Sequence, residues 1–264
     1  MSDQEFSHIS KLMHRITGKP LPAHKKTLVA DDLQPRVDNL KMSNFGQYID
    51  YIAKHIPELH YAIYLLGAHE TAFFRHPQHY RLLADRVLPH YRDKPMRLWS
   101  AATSTGEEAC SMAMVLMSEL GTEASWHVTG TDISEVALEM AKSGLFARSR
   151  MENMPTRWFR PSYCQETSAN GRKIMRIAED LQQRVLYQTA NLAADTAGLG
   201  TFDVIFLCNV LFYFDAVVRR QIVDKIVRQL NPGGWLFVGP AEVYSIVSDG
   251  LVQEEPTLFR RVDG

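Results

Sequence analysis

The chain has 264 residues with 29 Lys and Arg against 30 Asp and Glu, a formal net charge of −1, and 45% hydrophobic residues, enough to bury a core without staples. It has no basic excess for wrapping nucleic acid, no apolar-poor composition of a disordered chain, and no apolar run near the ~18 residues that span a bilayer. Cys110, Cys164 and Cys208 make no paired framework, and the first 30 residues place His8, Lys11, His14, Arg15, Lys19, Lys25 and Lys26 where a secretory segment would be apolar, so a reducing cytoplasmic setting is expected.

In chain order, residues 1–90 read as helices. Phe6, Ile9, Leu12 and Met13 recur at helical spacing, and a Gly-Lys-Pro-Leu-Pro break at 18–22 precedes a second stretch, Leu28 to Val37. Ser43 reads as the N-cap of a helix carrying Phe45, Tyr48, Ile49, Ile52 and Ile56, with Pro57 as its stop or restart. Residues 91–95 read as a charged linker. Nine of the ten histidines precede residue 95, and that segment holds 13 Lys and Arg against 10 Asp and Glu, leaving 16 against 20 beyond. A mildly basic front and a mildly acidic back suggest two units, 1–90 and 96–264.

From Met96 the texture changes to short apolar strands alternating with helices. Strands are expected at Arg97–Ala102, Trp126–Thr131, Phe202–Cys208 and Trp235–Gly239, and helices at Gly106–Leu120, Ser134–Ser143 and Ala216–Leu230, with a turn at Asn231-Pro232-Gly233-Gly234. That alternation predicts right-handed crossovers and a parallel, doubly wound sheet of the α/β class. Residues 160–190, with Arg172–Ile177 and Arg184–Gln188, break the alternation and are read as a small antiparallel insertion.

Ligands of such sheets lie beyond the carboxyl ends of the strands. The first strand ends in Ser100-Ala101-Ala102-Thr103-Ser104-Thr105-Gly106-Glu107-Glu108, small residues that admit a ligand close to backbone. No G-x-G-x-x-G and no G-x-x-x-x-G-K-[ST] is present, which disfavours a dinucleotide or a nucleoside triphosphate. Glu107 and Glu108 suit a ligand with positive charge, although compensation of the helix dipole accounts for them as well. Asp132, after the second strand, suits the two hydroxyls of a ribose or caps the next helix. Asn209 follows a buried strand and must find partners, and Tyr213 lies one turn later among aromatics that could simply be core. Arg75 follows Phe73 and Phe74, where a solvated arginine is the plain alternative. His76 and His79 lack a third ligand, so no metal is expected, and Cys208 shows no histidine partner in sequence, which disfavours covalent catalysis.

Thr71-Ala72-Phe73-Phe74-Arg75, Leu98-Trp99-Ser100-Ala101-Ala102-Thr103-Ser104-Thr105-Gly106-Glu107-Glu108, Thr131-Asp132-Ile133-Ser134, Ala141-Lys142-Ser143-Gly144, Asn191-Leu192, Asn209-Val210-Leu211-Phe212-Tyr213-Phe214-Asp215 and Asn231-Pro232-Gly233-Gly234 stand in order along nearly the whole chain. Together they resemble the CheR-type chemotaxis receptor glutamate O-methyltransferases, class I enzymes that use S-adenosylmethionine. The resemblance implies an all-helical N-terminal domain, a Rossmann-like methyltransferase domain and a small inserted β-subdomain. It implies that His69, Thr71, Arg75, Ala102, Glu107, Asp132, Asn191, Leu192, Cys208 and Asn209 line the cofactor pocket, with Arg75 and Tyr213 nearest the transferred methyl. It implies transfer to glutamate carboxylates of a methyl-accepting receptor, giving methyl esters and S-adenosylhomocysteine, with no metal, no nucleic acid and no membrane insertion. The chain departs from the family pattern in having His69 for Asn, Cys208 for Arg, Gly239-Pro240-Ala241-Glu242 for G-H-S-E, and Asp32 for the first Arg of a docking pattern that reads here Asp32-Leu33-Gln34-Pro35-Arg36. A methyltransferase of another substrate, or a non-catalytic S-adenosylmethionine-binding module, are the alternative functions.

Overall fold

A computed structural model describes residues 1–17, 21–66, 71–92, 94–151, 154–169 and 172–262. The chain forms two compact units, Met1–Glu70 and Thr71–Gly264.

The first unit is helical: α1 (Asp3–Thr17), α2 (Lys26–Asn39), α3 (Phe45–Ile52) and α4 (Ile56–Leu65). Ile9, Met13, Leu33, Tyr48 and Ile52 are fully buried, so the expected apolar stripes do face a core. Asn44, not Ser43, caps α3: its Oδ1 accepts the Gln47 amide at 2.9 Å, while the Ser43 amide donates to the Gln47 side chain at 2.9 Å. Both residues are competent caps, and the reciprocal use of Gln47 decides between them. Pro57 lies in the first turn of α4, where its missing N–H costs nothing.

The second unit begins with α5 (Pro77–Leu82), continued by further helical turns to His90, before β1 (Met96–Ala101), α6 (Glu107–Leu120), β2 (Trp126–Asp132) and α7 (Glu135–Ser143). Residues 77–90 are thus helical as expected, 71–76 are coil, turn and bend, and all belong to the second unit, so that the boundary lies at 70/71 rather than 90. Phe73, Phe74, Tyr80, Leu83 and Val87 bury their side chains in the same core as Leu98 of β1 and Val115 of α6, which ties this helix to the sheet. After α7 come β3 (Leu145–Ala147), β4 (Cys164–Ala169), β5 (Arg172–Ile177), α8 (Glu179–Gln182), β6 (Val185–Thr189), β7 (Phe202–Leu207), α9 (Ala216–Gln229), β8 (Leu230–Val238), β9 (Leu251–Glu255) and β10 (Leu258–Arg261).

The main sheet has the order β6-β2-β1-β7-β8-β10-β9. Its first five strands are parallel, as the alternation predicted, and a C-terminal hairpin adds two antiparallel strands. The second sheet, β3-β5-β4, is the expected antiparallel insertion with Leu145–Ala147 added to it. Arg184–Gln188 is not part of that insertion: β6 pairs in parallel with β2, Val185 opposite Val128 and Tyr187 opposite Gly130. As an edge strand it is half exposed and lacks the continuous apolar run of its buried neighbours, which hid its membership. Asn231–Gly234 lies within β8 as a bulge, since Phe202 pairs with Leu230 but Val204 with Trp235, and Gly233 supplies the positive φ of 71°. Strand order reverses between β1 and β7, opening a crevice at their carboxyl ends. Among the described residues no helix is long and apolar enough to cross a membrane.

Candidate active site

The loop between β1 and α6 reaches into this crevice in a strained path. Ala102, Ser104 and Gly106 all have positive φ, at 68°, 53° and 95°, a cost that two residues with side chains accept only where the surroundings over-determine the backbone. Thr103 N–H donates to the Thr131 carbonyl at 2.8 Å, and Ser104 N–H donates to Asp132 Oδ2 at 2.9 Å. Asp132 Oδ1 accepts the Ser134 amide at 2.9 Å, and Ser134 rather than Asp132 caps α7. Asp132 is buried and so binds the loops after β1 and β2 together. Thr103 Oγ1 and Ser104 Oγ are buried without a hydrogen-bond partner among the described residues, two orphaned groups in a loop already shaped to meet a ligand.

Glu107 and Glu108, adjacent in sequence, separate in role. Glu107 is fully buried, accepts from Thr105 Oγ1 at 2.6 Å and pairs with the Arg150 guanidinium. Glu108 accepts from Ser100 Oγ at 2.7 Å, and burial pushes its carboxyl up to about 7, with Ser100 and Arg75 opposing and the Glu242 charge reinforcing. Arg75 is exposed, and among the described residues its guanidinium has no hydrogen bond or ion pair. Its charge is felt by Glu108, His76 and the Tyr213 hydroxyl, so the four lie within electrostatic reach. Burial pushes the Tyr213 phenol up to about 12, so it is a hydrogen-bond donor at neutral pH. The backbone before Arg75 is held: Phe74, at a φ of 53°, donates its N–H to Ser111 Oγ at 3.0 Å, and that hydroxyl donates to the Glu107 carbonyl at 2.6 Å.

After β7, Asn209 takes a left-handed φ of 61°, and its Oδ1 lies 2.7 Å from His76 Nε2. Burial lowers the His76 pKa, which makes Nε2–H of the neutral ring the donor. Cys208 Sγ lies 3.7 Å from His79 Nδ1 and 3.7 Å from the Phe237 carbonyl. That supplies the histidine neighbour absent from the local sequence, but no nucleophile: burial holds His79 neutral, down to about 3, and drives the Cys208 thiol well up. Asn191 is exposed and its Oδ1 accepts the Ala193 amide at 2.9 Å, while the buried Leu192 offers its carbonyl to Lys225 Nζ at 2.6 Å. Thr71 is half-buried at the start of the unit, and His69 lies outside the described residues.

The structure thus gathers Arg75, Ala102, Asp132, Asn209 and Tyr213 around the carboxyl ends of β1, β2 and β7, and engages Glu107 and Cys208 with protein partners. Sequence reading missed Ser111, His76 and Glu242 as supports. A serine on the otherwise apolar face of α6 and a glutamate three residues past the last glycine of an apolar strand were the available signals. Among the described residues no group of three His, Cys, Asp or Glu side chains could hold a metal.

Comparison with known proteins bears on the same residues. The family model "CheR methyltransferase, all-alpha domain" matches residues 4–64, and "CheR methyltransferase, SAM binding domain" matches residues 69–256. The chemotaxis protein methyltransferase of Escherichia coli is 34% identical over 249 residues, covering 93% of this chain and 86% of that one. That of Klebsiella aerogenes is 35% identical over 265 residues, with 98% and 90% covered. Chemotaxis protein methyltransferase 2 of Pseudomonas aeruginosa is 33% identical over 242 residues, with 90% and 86% covered. With both domains matched in order and the crevice built on the matched segments, the chain belongs to the CheR methyltransferase family.

Proposed function

We propose that this protein transfers the methyl of S-adenosylmethionine to glutamate side-chain carboxylates of a chemotaxis receptor, releasing S-adenosylhomocysteine and a methyl ester. The observation that carries the reading is the Arg75 guanidinium, exposed and unpartnered among the described residues, set within reach of the protonated Tyr213 hydroxyl at the mouth of a crevice with buried acids. Thr103 and Ser104, whose buried hydroxyls have no partner, and Asp132 fit the nucleoside part of the cofactor. The cofactor, when bound, supplies a methyl on a cationic sulfonium.

The residues have little proton chemistry to perform. A glutamate with an ordinary pKa of about 4.3 is ionised at neutral pH and needs no general base. Catalysis then rests on positioning. Arg75 orients the incoming carboxylate without a competing internal ion pair, and the Tyr213 O–H donates to one carboxylate oxygen, leaving the other aimed at the methyl. Cys208 and Glu107, engaged by internal partners, serve as packing and as a loop anchor.

The test is incubation with labelled S-adenosylmethionine and receptor cytoplasmic fragments, read as base-labile label. Tyr213→Phe should lower kcat by about tenfold or more while leaving S-adenosylhomocysteine affinity within about threefold. Equal turnover would remove the hydroxyl from the mechanism. Cofactor binding without transfer would make the chain a binding module, and label on an unrelated protein would reassign the substrate.

A further inference from the structure

One buried carboxylate joins the loops after β7 and β8. Glu242 Oε1 accepts the amides of Val210 and Leu211, both at 2.6 Å, and Oε2 accepts those of Asn209 at 2.5 Å and Gly239 at 3.1 Å. The residue is 2% exposed. The three consecutive amides 209–211 include that of Asn209, whose left-handed backbone is otherwise unfavourable for a residue with a Cβ. They lead directly into the turn Leu211–Tyr213 that presents the phenol. The glycine of the Gly-Pro-Ala-Glu segment is required by the same contact: a Cβ on Gly239 would fall 2.5 Å from Glu242 Oε2 and 3.2 Å from the Asn209 amide.

We propose that Glu242 is a positioning residue for methyl transfer, fixing the backbone of 209–211 so that Asn209 meets His76 and Tyr213 faces Arg75. The inference rests on the methyl-transfer reading above. Only a carboxylate supplies about four acceptor positions on two oxygens. Glutamine offers one oxygen and puts an N–H₂ against two backbone donors. Aspartate keeps the charge but sits one methylene too far back. Each unmet amide leaves a buried donor unpaired, and the left-handed Asn209 backbone is then free to relax.

The experiment combines two readouts on the full chain. Amide hydrogen exchange of the free protein, read on peptides across 206–214, should accelerate by about tenfold or more for 209–211 in Glu242→Gln, with strand 96–101 unchanged. With the receptor fragment, kcat should fall about tenfold or more in Glu242→Gln and partly recover in Glu242→Asp. In a Tyr213→Phe background the same change should cost less than about threefold, because both substitutions then remove one function. Unaltered exchange at 209–211, or an equal loss of kcat in both backgrounds, overturns the proposal. If Glu242→Gln does not fold, Gly239→Ala, which displaces the carboxylate without deleting it, is measured in its place. A wild-type protein that methylates no receptor fragment defeats the methyl-transfer reading alone, and the exchange readout with titration by S-adenosylhomocysteine still decides whether Glu242 holds the loop.

Discussion

Glu107 and Glu108 show how little two neighbouring acids reveal before their partners are known. Both begin α6, where either could face a cation or offset the helix dipole. The difference comes from Arg150 and Thr105 on one side and Ser100 on the other, 43 and eight residues away in the extreme cases. Glu108 therefore contributes a measurable linkage. Its carboxyl titrates near 7 instead of 4.5, so between those values the folded protein keeps a proton that the unfolded chain has released. The Glu108 contribution to stability then falls as pH rises through that window and levels off above it, while the lowered His79 and His76 act in the opposite sense below about pH 6.5. Glu108→Gln keeps an acceptor for the Ser100 hydroxyl but has no proton to lose. Its Tm relative to wild type should climb as pH rises from about 4.5 to 7, so that it exceeds that of wild type at about pH 8. Burial also raises Glu107 and Glu242, so part of the slope should survive. Parallel Tm curves for the two proteins would show that Glu108 does not hold its proton.

At the scale of elements, the strand-to-helix turn after β1 is fixed from beyond itself. A Cβ on Gly106 would stand 2.8 Å from the Cβ of Ala141 on α7 and 2.8 Å from the Tyr187 hydroxyl on β6, at a φ of 95°. Gly106→Ala should thus add a clash with two packed elements to left-handed strain, lowering stability by about 2–4 kcal/mol and weakening S-adenosylhomocysteine binding. Gly121, at φ 79° and ψ −173° with nothing within 4 Å of a Cβ, carries backbone strain without a clash, and Gly121→Ala should cost about 1–3 kcal/mol with binding intact. Unchanged S-adenosylhomocysteine binding in Gly106→Ala would mean that α7 and β6 do not brace the loop. The turn itself was readable, because Thr-Gly-Glu-Glu after an apolar strand has few other uses. Its brace was not, since β6 carries alternating, half-exposed residues and pairs with β2 only in three dimensions. The hairpin β9–β10 was hidden for a related reason: Arg260 and Arg261 on an edge-proximal strand look like a polar tail until Leu258 and Phe259 are seen buried against β8.

For the whole molecule, moving the boundary from 90 to 70 changes what the charge means. The excess of 13 basic over 10 acidic groups in residues 1–95 makes the front of the sequence mildly basic. Residues 1–70 hold eight Lys and Arg and eight Asp and Glu, so the helical unit is neutral, and the excess belongs to 71–95 in the methyltransferase unit. Within the helical unit, Arg36 of the Asp32-Leu33-Gln34-Pro35-Arg36 segment is consumed internally: it makes two hydrogen bonds to Glu58, at 2.9 and 2.7 Å, and lies over the Tyr61 ring at 4.5 Å. Asp32 adds a negative charge where the family pattern has a positive one. A docking surface that uses long-range attraction to acidic helices loses affinity as salt shortens the Debye length from about 14 to about 6 Å. This chain lacks the net charge for that in its helical unit, so its KM for a receptor fragment should rise less than about threefold between roughly 50 and 300 mM salt, while kcat stays constant. A rise of about tenfold would locate the docking charge elsewhere, in the basic residues of 71–95, and would make the methyltransferase unit the one that recruits the receptor.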